Sequence, residues 1–312
     1  MKVAKSLSLC YLLSIVQASV TTTQPDIEND RRWFLLQKRR DDLGVVRAFT
    51  IFRKNGFEPI LIKGWAAGLA YPDDKPRQFT DIDLAVSALD YERARLVLLS
   101  SDFADTDIDL HKELRQLDTL SWDDLFANSR LVELDGTRVR VLRPEDHLRI
   151  LCVHWLTDGG ANEDRLRDIY YAVKNRPADF DWERCLDVVG PNRRRWVLCV
   201  ICLANKYLGL PLHDLPFADE ASRIPKWVIK RVEKEWRDPV HLMPLISFVN
   251  DGKQFFRQLK KRVPPSPIRA TVEMEGKIDG SLRFFYQIGC FAKRLPAFFR
   301  AAAAYIRSRF KR

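Results

Sequence analysis

The chain has 312 residues, 46% of them hydrophobic and 30% charged, with eighteen Phe, eight Trp and eight Tyr. So many apolar and aromatic residues exclude a wholly disordered chain, the Gly and Pro content excludes collagen-like and low-complexity classes, and no apolar run reaches the ~18 residues a spanning helix needs. The net charge of +10 is concentrated at one end, because residues 253–312 hold fifteen Lys and Arg against three acids and carry +12, leaving −2 for the remainder. A length of this kind accommodates one large domain or two modest ones.

The first twenty residues start with Lys2 and Lys5, continue through an apolar stretch from Leu7 to Val16 and leave through Gln17, Ala18 and Ser19. That pattern describes a secretory signal. Leu9, Leu12, Leu13 and Val16 equally describe a first amphipathic helix. Residues 30–55 have helical spacing, with Trp33, Leu36, Val45, Val46, Phe49 and Phe52 apolar, and Gly56 stands in the stop position. Pro59-Ile-Leu-Ile62 reads as a short buried strand, broken by Lys63-Gly64, and a helix begins at Trp65. Pro72 to Pro76 is loop. Asp81 to Val86 alternates and then turns fully apolar, as a strand entering a core does. A helix over 87–99 and a second alternating strand over 106–111 follow. Leu131–Leu134 and Thr137–Leu142 flank Asp135-Gly136, a strong hairpin signal. Pro144 opens a region of helical periodicity, with segments 148–155, 166–173, 182–189, 196–208 and 227–236. Lys261 to Pro267 reads as a linker into the basic tail.

Chemistry is concentrated in three acids. Residues i and i+2 of a strand share a face, so Asp81 and Asp83 aim two carboxylates the same way. Such charges need a partner if buried, and a hard divalent cation suits carboxylate oxygens. Asp109, in the following strand, can reach the same place, with Asp107 as its rival. Three carboxylates can hold two Mg²⁺ ions roughly 3.5–4 Å apart for in-line phosphoryl chemistry. Lys63-Gly64 lies at a strand end that opens into a helix, where glycine allows close backbone approach and the helix N-terminus favours phosphate.

The stretch Leu61-Ile-Lys-Gly-Trp-Ala-Ala-Gly-Leu-Ala-Tyr-Pro72, then Arg77, then Asp81-Ile-Asp-Leu84, resembles the polymerase-beta-like nucleotidyltransferase superfamily. It is most similar to a branch of bacterial nucleotidyltransferase family proteins. Asp109-Leu-His111, Pro144-Glu-Asp146 and His154 extend the likeness, which covers about residues 30–175. The resemblance implies an α/β (α+β) core with a small mixed sheet, a mainly helical partner domain, and two-metal transfer of a nucleoside monophosphate from a nucleoside triphosphate. Carried over, Asp81 and Asp83 would hold Mg²⁺ or Mn²⁺. Asp109 would complete the site and serve as base toward an acceptor hydroxyl. Lys63, Gly64, Trp65 and Arg77 would contact the nucleotide, with ATP the expected donor. Most of the superfamily has Gly-Ser or Gly-Gly where this chain has Gly64-Trp65, so backbone amides or Lys63 must replace the missing hydroxyl. The implied division is N-terminal helices over 1–55, the nucleotidyltransferase core over 56–143, a helical domain over 144–250 and a basic tail with an amphipathic helix over 251–312.

Other residues have plainer readings. Arg77 could equally pair with an acid. His111 reads first as a structural histidine and second as a substrate contact. His154 and Trp155 read as core. Asp168, just after Arg165 and Arg167, reads as part of a solvated face from which Arg167 or Lys174 could reach phosphates. Cys199 and Cys202 lie in an apolar helical run and read as buried small hydrophobes. In the tail, Phe299, Ala302, Ala303, Ile306 and Phe310 recur at three and four residues, with Arg300 and Arg307 on another face. That is a basic amphipathic helix for an anionic membrane surface or a partner, or one that packs on the helical domain. Two functions follow: a cytoplasmic nucleotidyltransferase, with the membrane periphery as a second location and export if the N-terminus is a signal; or a decayed nucleotidyltransferase fold whose tail docks on nucleic acid or membrane. The acceptor, whether protein, sugar, small molecule or RNA end, is open. The three intact acids favour the enzyme.

Overall fold

Buried alternating strands and amphipathic helices assemble as a mixed sheet with helices on both faces in the computed structural model of the chain. It describes residues 24–100, 107–221 and 223–310, apart from short breaks at 239, 241, 244, 249–250 and 281–282, with the backbone alone for 24–31, 221, 246 and 297–310. The signal-or-helix segment over 1–20 lies outside the described residues.

The sheet has five strands in the order β3-β2-β1-β5-β4: β1 (Ile60–Ile62), β2 (Ile82–Val86), β3 (Ile108–Lys112), β4 (Arg130–Leu134) and β5 (Thr137–Val141). β1 runs antiparallel to β2 and parallel to β5, and β2 runs parallel to β3. β4 and β5 form the expected hairpin, with Leu134 opposite Thr137. Asp135 and Gly136 both take positive φ there, 48° and 77°, as a type I′ turn requires.

Side-chain alternation divides the sheet between two cores. Leu61, Leu84, Val86, Val139 and Val141 face α1 (Gln24–Lys54), where Val45, Phe49 and Phe52 are buried against them, and α3 (Tyr91–Ser100), which adds Ala94. Burying a large apolar side chain of this kind contributes about 1.5–3 kcal/mol. The opposite face carries Ile60, Ile62 and Ala85 into the larger core. That core is made by α5 (Pro144–Thr157), α6 (Leu166–Lys174), α7 (Trp182–Leu186), α8 (Pro191–Leu208) and α10 (Lys226–Arg237), together with α4 (Trp122–Ala127). The remaining helices are α2 (Gly64–Gly68), α9 (Ala218–Ala221), α11 (Gly252–Arg262), α12 (Pro267–Glu273) and α13 (Arg283–Phe310). Cys199 and Cys202 are buried in α8, free of disulfides.

The segment after residue 251, expected as a basic tail, contributes to the helical core as far as residue 280. Ile268, Val272 and Ile278 are buried there. The indoles of Trp196 and Trp227 donate to the carbonyls of Gly276 and Ile278 at 3.0 Å each. Buried indole N–H groups need such acceptors, so this segment closes the helical layer. Among the described residues, no helix is long and apolar enough to cross a membrane.

Candidate active site

The site lies where the C-terminal end of β1 meets the start of β2. Strand β1 ends at Ile62, and the chain turns sharply into α2 through Lys63, whose φ of 51° and ψ of −133° are unusual for a residue with a side chain. Such a conformation costs on the order of 1–3 kcal/mol and persists only where neighbours enforce it. Here His147 enforces it: the Lys63 amide donates to His147 Nε2 at 3.0 Å. Burial pushes the His147 imidazole down to about 4, so it stays neutral and able to accept. Gly64 follows under a tight roof, since a Cβ there would lie 3.3 Å from the Asp81 carbonyl and 3.5 Å from Phe79.

Strand β2 supplies the acids. Asp83 is buried opposite Ile62 on one side and Asp109 on the other. Asp81 precedes the strand by one residue, half-buried, with the Thr80 hydroxyl at 3.3 Å as its hydrogen-bond donor. Burial first, and the neighbouring Asp83 charge second, raise the Asp81 carboxyl above its ordinary range. Asp109 sits beside Asp83, whereas the exposed Asp107 lies before β3 and gives its carbonyl to the Ile82 amide at 2.8 Å. The parallel register therefore brings Asp109, rather than Asp107, to the cluster.

Lys63 Nζ donates to Asp83 Oδ1 at 2.6 Å. His111 Nε2 stands 2.9 Å from Asp83 Oδ1, 3.2 Å from Asp109 Oδ2 and 3.2 Å from Lys63 Nζ. Burial works to raise the Asp83 carboxyl, but His111 and Lys63 outweigh it and hold the group below the usual range. Burial would lower His111, and the two carboxylates overcome that and raise it. The arrangement is over-subscribed. A protonated Nε2 opposes the Lys63 ammonium, and an unprotonated one accepts from Lys63 only with its lone pair also set against two carboxylate oxygens.

A cleft of about 820 Å³ opens over these groups, within the size range of small-ligand sites. Lys63, Gly64, Asp81, Asp83 and Asp109 form one wall, and Lys75, His154, Arg165 and Arg167 lie among the residues of the others. Arg165 Nη1 stands 3.0 Å from His154 Nε2 and also pairs with Asp158.

A family model described as "Uncharacterised nucleotidyltransferase" matches residues 17–209, more than half of the chain. The protein belongs to this family. No curated protein matches it. A solved structure, that of an antigenic nucleotidyltransferase-like protein from Paracoccidioides brasiliensis, is similar at 14% identity with a TM-score of 0.37, over 61% of this chain and 96% of the other.

The donor set of this nucleotidyltransferase suits a divalent cation. One ligand atom each from Asp83, Asp109 and His111 lie within 4.8 Å of one another, and a cation at that point would relieve the over-subscribed Nε2. His111 thus joins the cluster, where the sequence favoured a purely structural histidine. The signal available was its i+2 spacing from Asp109, which puts both on one face of β3.

Of the expected nucleotide contacts, Trp65 is placed elsewhere, and Arg77 makes the acid pair that the sequence equally allowed. Trp65 does not line the cleft: its indole donates to Asp42 on α1 at 2.7 Å. Arg77 borders the cleft, but its Nε and Nη2 bind the two oxygens of Asp168 at 2.8 and 2.9 Å. Tyr71 also donates to Asp168, at 2.6 Å. Asp168 is therefore buried and not part of a solvated face, and the Tyr71–Arg77 loop is clamped to α6. Lys174 points elsewhere, donating to the Tyr170 hydroxyl at 3.1 Å. His154 and Trp155, expected in the core, both border the cleft, and only Trp155 is fully buried.

Proposed function

We propose that this nucleotidyltransferase binds a nucleoside triphosphate, ATP foremost, in the cleft and transfers its nucleoside monophosphate to an acceptor hydroxyl, forming a bond from the acceptor oxygen to the α-phosphorus and breaking the bond to the β-phosphate, which leaves as pyrophosphate. One observation carries the reading: a wall of three carboxylates, Asp81, Asp83 and Asp109, shares a single cleft with Lys75, Arg165 and Arg167. Carboxylates suit cations and guanidinium forks suit phosphate oxygens, so the cleft separates the two requirements of a metal–triphosphate ligand.

Asp81, Asp83 and Asp109, with His111 beside them, would hold Mg²⁺ or Mn²⁺, which supplies charge neutralisation on the transferring phosphoryl group. Lys63 leaves Asp83 for a phosphate oxygen when the nucleotide enters. Gly64 lets the backbone approach the phosphates closely, and Arg165 and Arg167 bind their far end. Asp109, the most exposed of the three acids, takes the proton of the acceptor hydroxyl. Residues 56–143 act as the transfer core and residues 144–250 as the wall that closes on the phosphates. The acceptor, whether a protein, sugar, small molecule or RNA end, enters from the open side. Such chemistry suits the cytoplasm, where nucleotide and Mg²⁺ are both at hand.

The test is calorimetry with ATP, GTP, CTP and UTP, each with and without Mg²⁺. Asp81→Ala/Asp83→Ala is run alongside. Metal-dependent binding of one nucleotide, lost in the double variant, supports the proposal and names the donor. A folded protein that binds none of the four overturns it.

A further inference from the structure

Over residues 283–296, where its side chains are described, α13 packs one face against the fold. Tyr286 packs over Gly276, and Gly289 lies against Met274. The Cys290 thiol donates to Glu273 at 3.0 Å, and Arg294 pairs with the same carboxylate. The opposite face presents Phe284, Phe285, Ile288 and Phe291 at 68%, 67%, 51% and 40% exposure. Residues 284, 288 and 291 fall on one line of a 3.6-residue helix, with 285 beside it. Four large apolar side chains left in water on one helix face are an interaction surface, because scattered single exposures are the norm and a contiguous stripe is not.

The charge around the stripe selects its partner. In sequence α13 holds Arg283, Lys293, Arg294, Arg300, Arg307 and Arg309 and no acid, and Lys293 is exposed. Residues 253–312 carry +12 against −2 for the remainder of the chain. In sequence, the apolar period continues beyond Pro296 through Phe299, Ala302, Ile306 and Phe310, with Arg300, Arg307, Lys311 and Arg312 interspersed. A protein partner would need a matching acidic groove, whereas an anionic bilayer offers apolar depth and negative charge together. A long helix with Phe-rich and Lys/Arg-rich faces is the form that lies in such an interface.

We propose that α13 is an interfacial membrane helix that seats its Phe284–Ile288–Phe291 face in an anionic lipid surface, and so holds this nucleotidyltransferase at a membrane. The binding is reversible, salt-sensitive and independent of the nucleotide cleft.

The experiment is sedimentation of the full chain with vesicles of phosphatidylcholine alone or with phosphatidylserine at roughly one lipid in three. The expected result is partition to the anionic vesicles, weakening as salt rises, with little partition to the neutral ones. Phe285→Glu/Ile288→Glu/Phe291→Glu should weaken that partition at least about tenfold. These side chains are exposed, so the variant should keep its far-ultraviolet circular dichroism and its oligomeric state. Lys293→Glu, which leaves the apolar stripe untouched, should weaken partition by a smaller factor. Failure of the full chain to sediment with anionic vesicles overturns the proposal. So does equal sedimentation of the triple variant. A wild-type dimer that the triple variant dissociates would instead make this face a contact between two copies, and would also overturn it.

Discussion

Lys63 Nζ lies 2.6 Å from Asp83 Oδ1, with both side chains nearly buried, so the chain's own ammonium neutralises the central carboxylate of the candidate site. A buried carboxylate needs a cation beside it, and Lys63 supplies one that can be exchanged. The pair is thus a competitor for any divalent ion.

Lys63→Met removes that competitor. Its Mn²⁺ affinity should rise about tenfold, equivalent to about 1.4 kcal/mol, while its affinity for the metal-bound nucleotide should fall because a phosphate contact is gone. Titration calorimetry with Mn²⁺ alone, then with nucleotide, reads both changes. Unchanged Mn²⁺ binding in this variant would show that Lys63 and the ion do not share Asp83.

The Lys63 turn gives the fold an acid sensitivity through His147, held neutral by burial with its imidazole lowered to about 4 from an ordinary 6.5. The unfolded chain takes up this proton first as pH falls, so the stabilisation is fully present above about pH 6.5 and declines toward pH 4. The loss between pH 7 and pH 5 amounts to about 2 kcal/mol. His154, also lowered to about 4 by burial, adds in the same direction. Urea midpoints at the two pH values, compared with those of His147→Gln, isolate the first contribution. The variant should show the smaller decline with acid, and an equal decline would assign the effect elsewhere.

Much of the fold was legible because its signals are local. The β4–β5 hairpin needed only Asp135-Gly136 between alternating runs, and β2 needed only the passage from Asp81 into Leu84-Ala85-Val86. The strand positions of Asp83 and Asp109 were legible in the same way, from the alternation within each run, and the β2–β3 register sets the two side by side. What escaped depends on partners distant in sequence. Asp168 looks solvated beside Arg165 and Arg167 until Arg77, 91 positions away, takes both its oxygens. Trp65 looks like part of a phosphate turn until Asp42, 23 positions away, accepts its indole proton. The basic composition of residues 253–280 conceals that Trp196 and Trp227 need the carbonyls of this segment.

A buried charge network ties the connection between β3 and α4 to the helical layer. Arg149 donates to Asp118 at 2.8 Å and to Asp146 at 2.7 Å, and Arg184 binds the other Asp146 oxygen at 2.8 Å. Arg149→Met strands the buried Asp118 carboxylate and should cost about 3–5 kcal/mol in chemical denaturation. Adding Asp118→Asn should restore part of that loss, because the uncompensated charge is then gone. Purely additive losses would show that the two residues act separately.

Arg77 and Asp168 allow a sharper decision about the nucleotide. Both prongs of the guanidinium are used on the carboxylate, and the Tyr71 hydroxyl completes its shell. Removing either partner leaves the other charge buried, so Arg77→Ala and Asp168→Ala should each destabilise the fold by about 3 kcal/mol, and the double variant by less than their sum. If Arg77 acts by clamping the Tyr71–Arg77 loop to α6, the two single variants should weaken nucleotide binding by the same factor, because each opens the same wall of the cleft. A direct phosphate contact predicts a different split: Arg77→Ala would lose much more affinity than Asp168→Ala, whose freed guanidinium could still reach the nucleotide. The clamp reading expects equal losses, and calorimetry on the two variants at matched folded fraction separates the two.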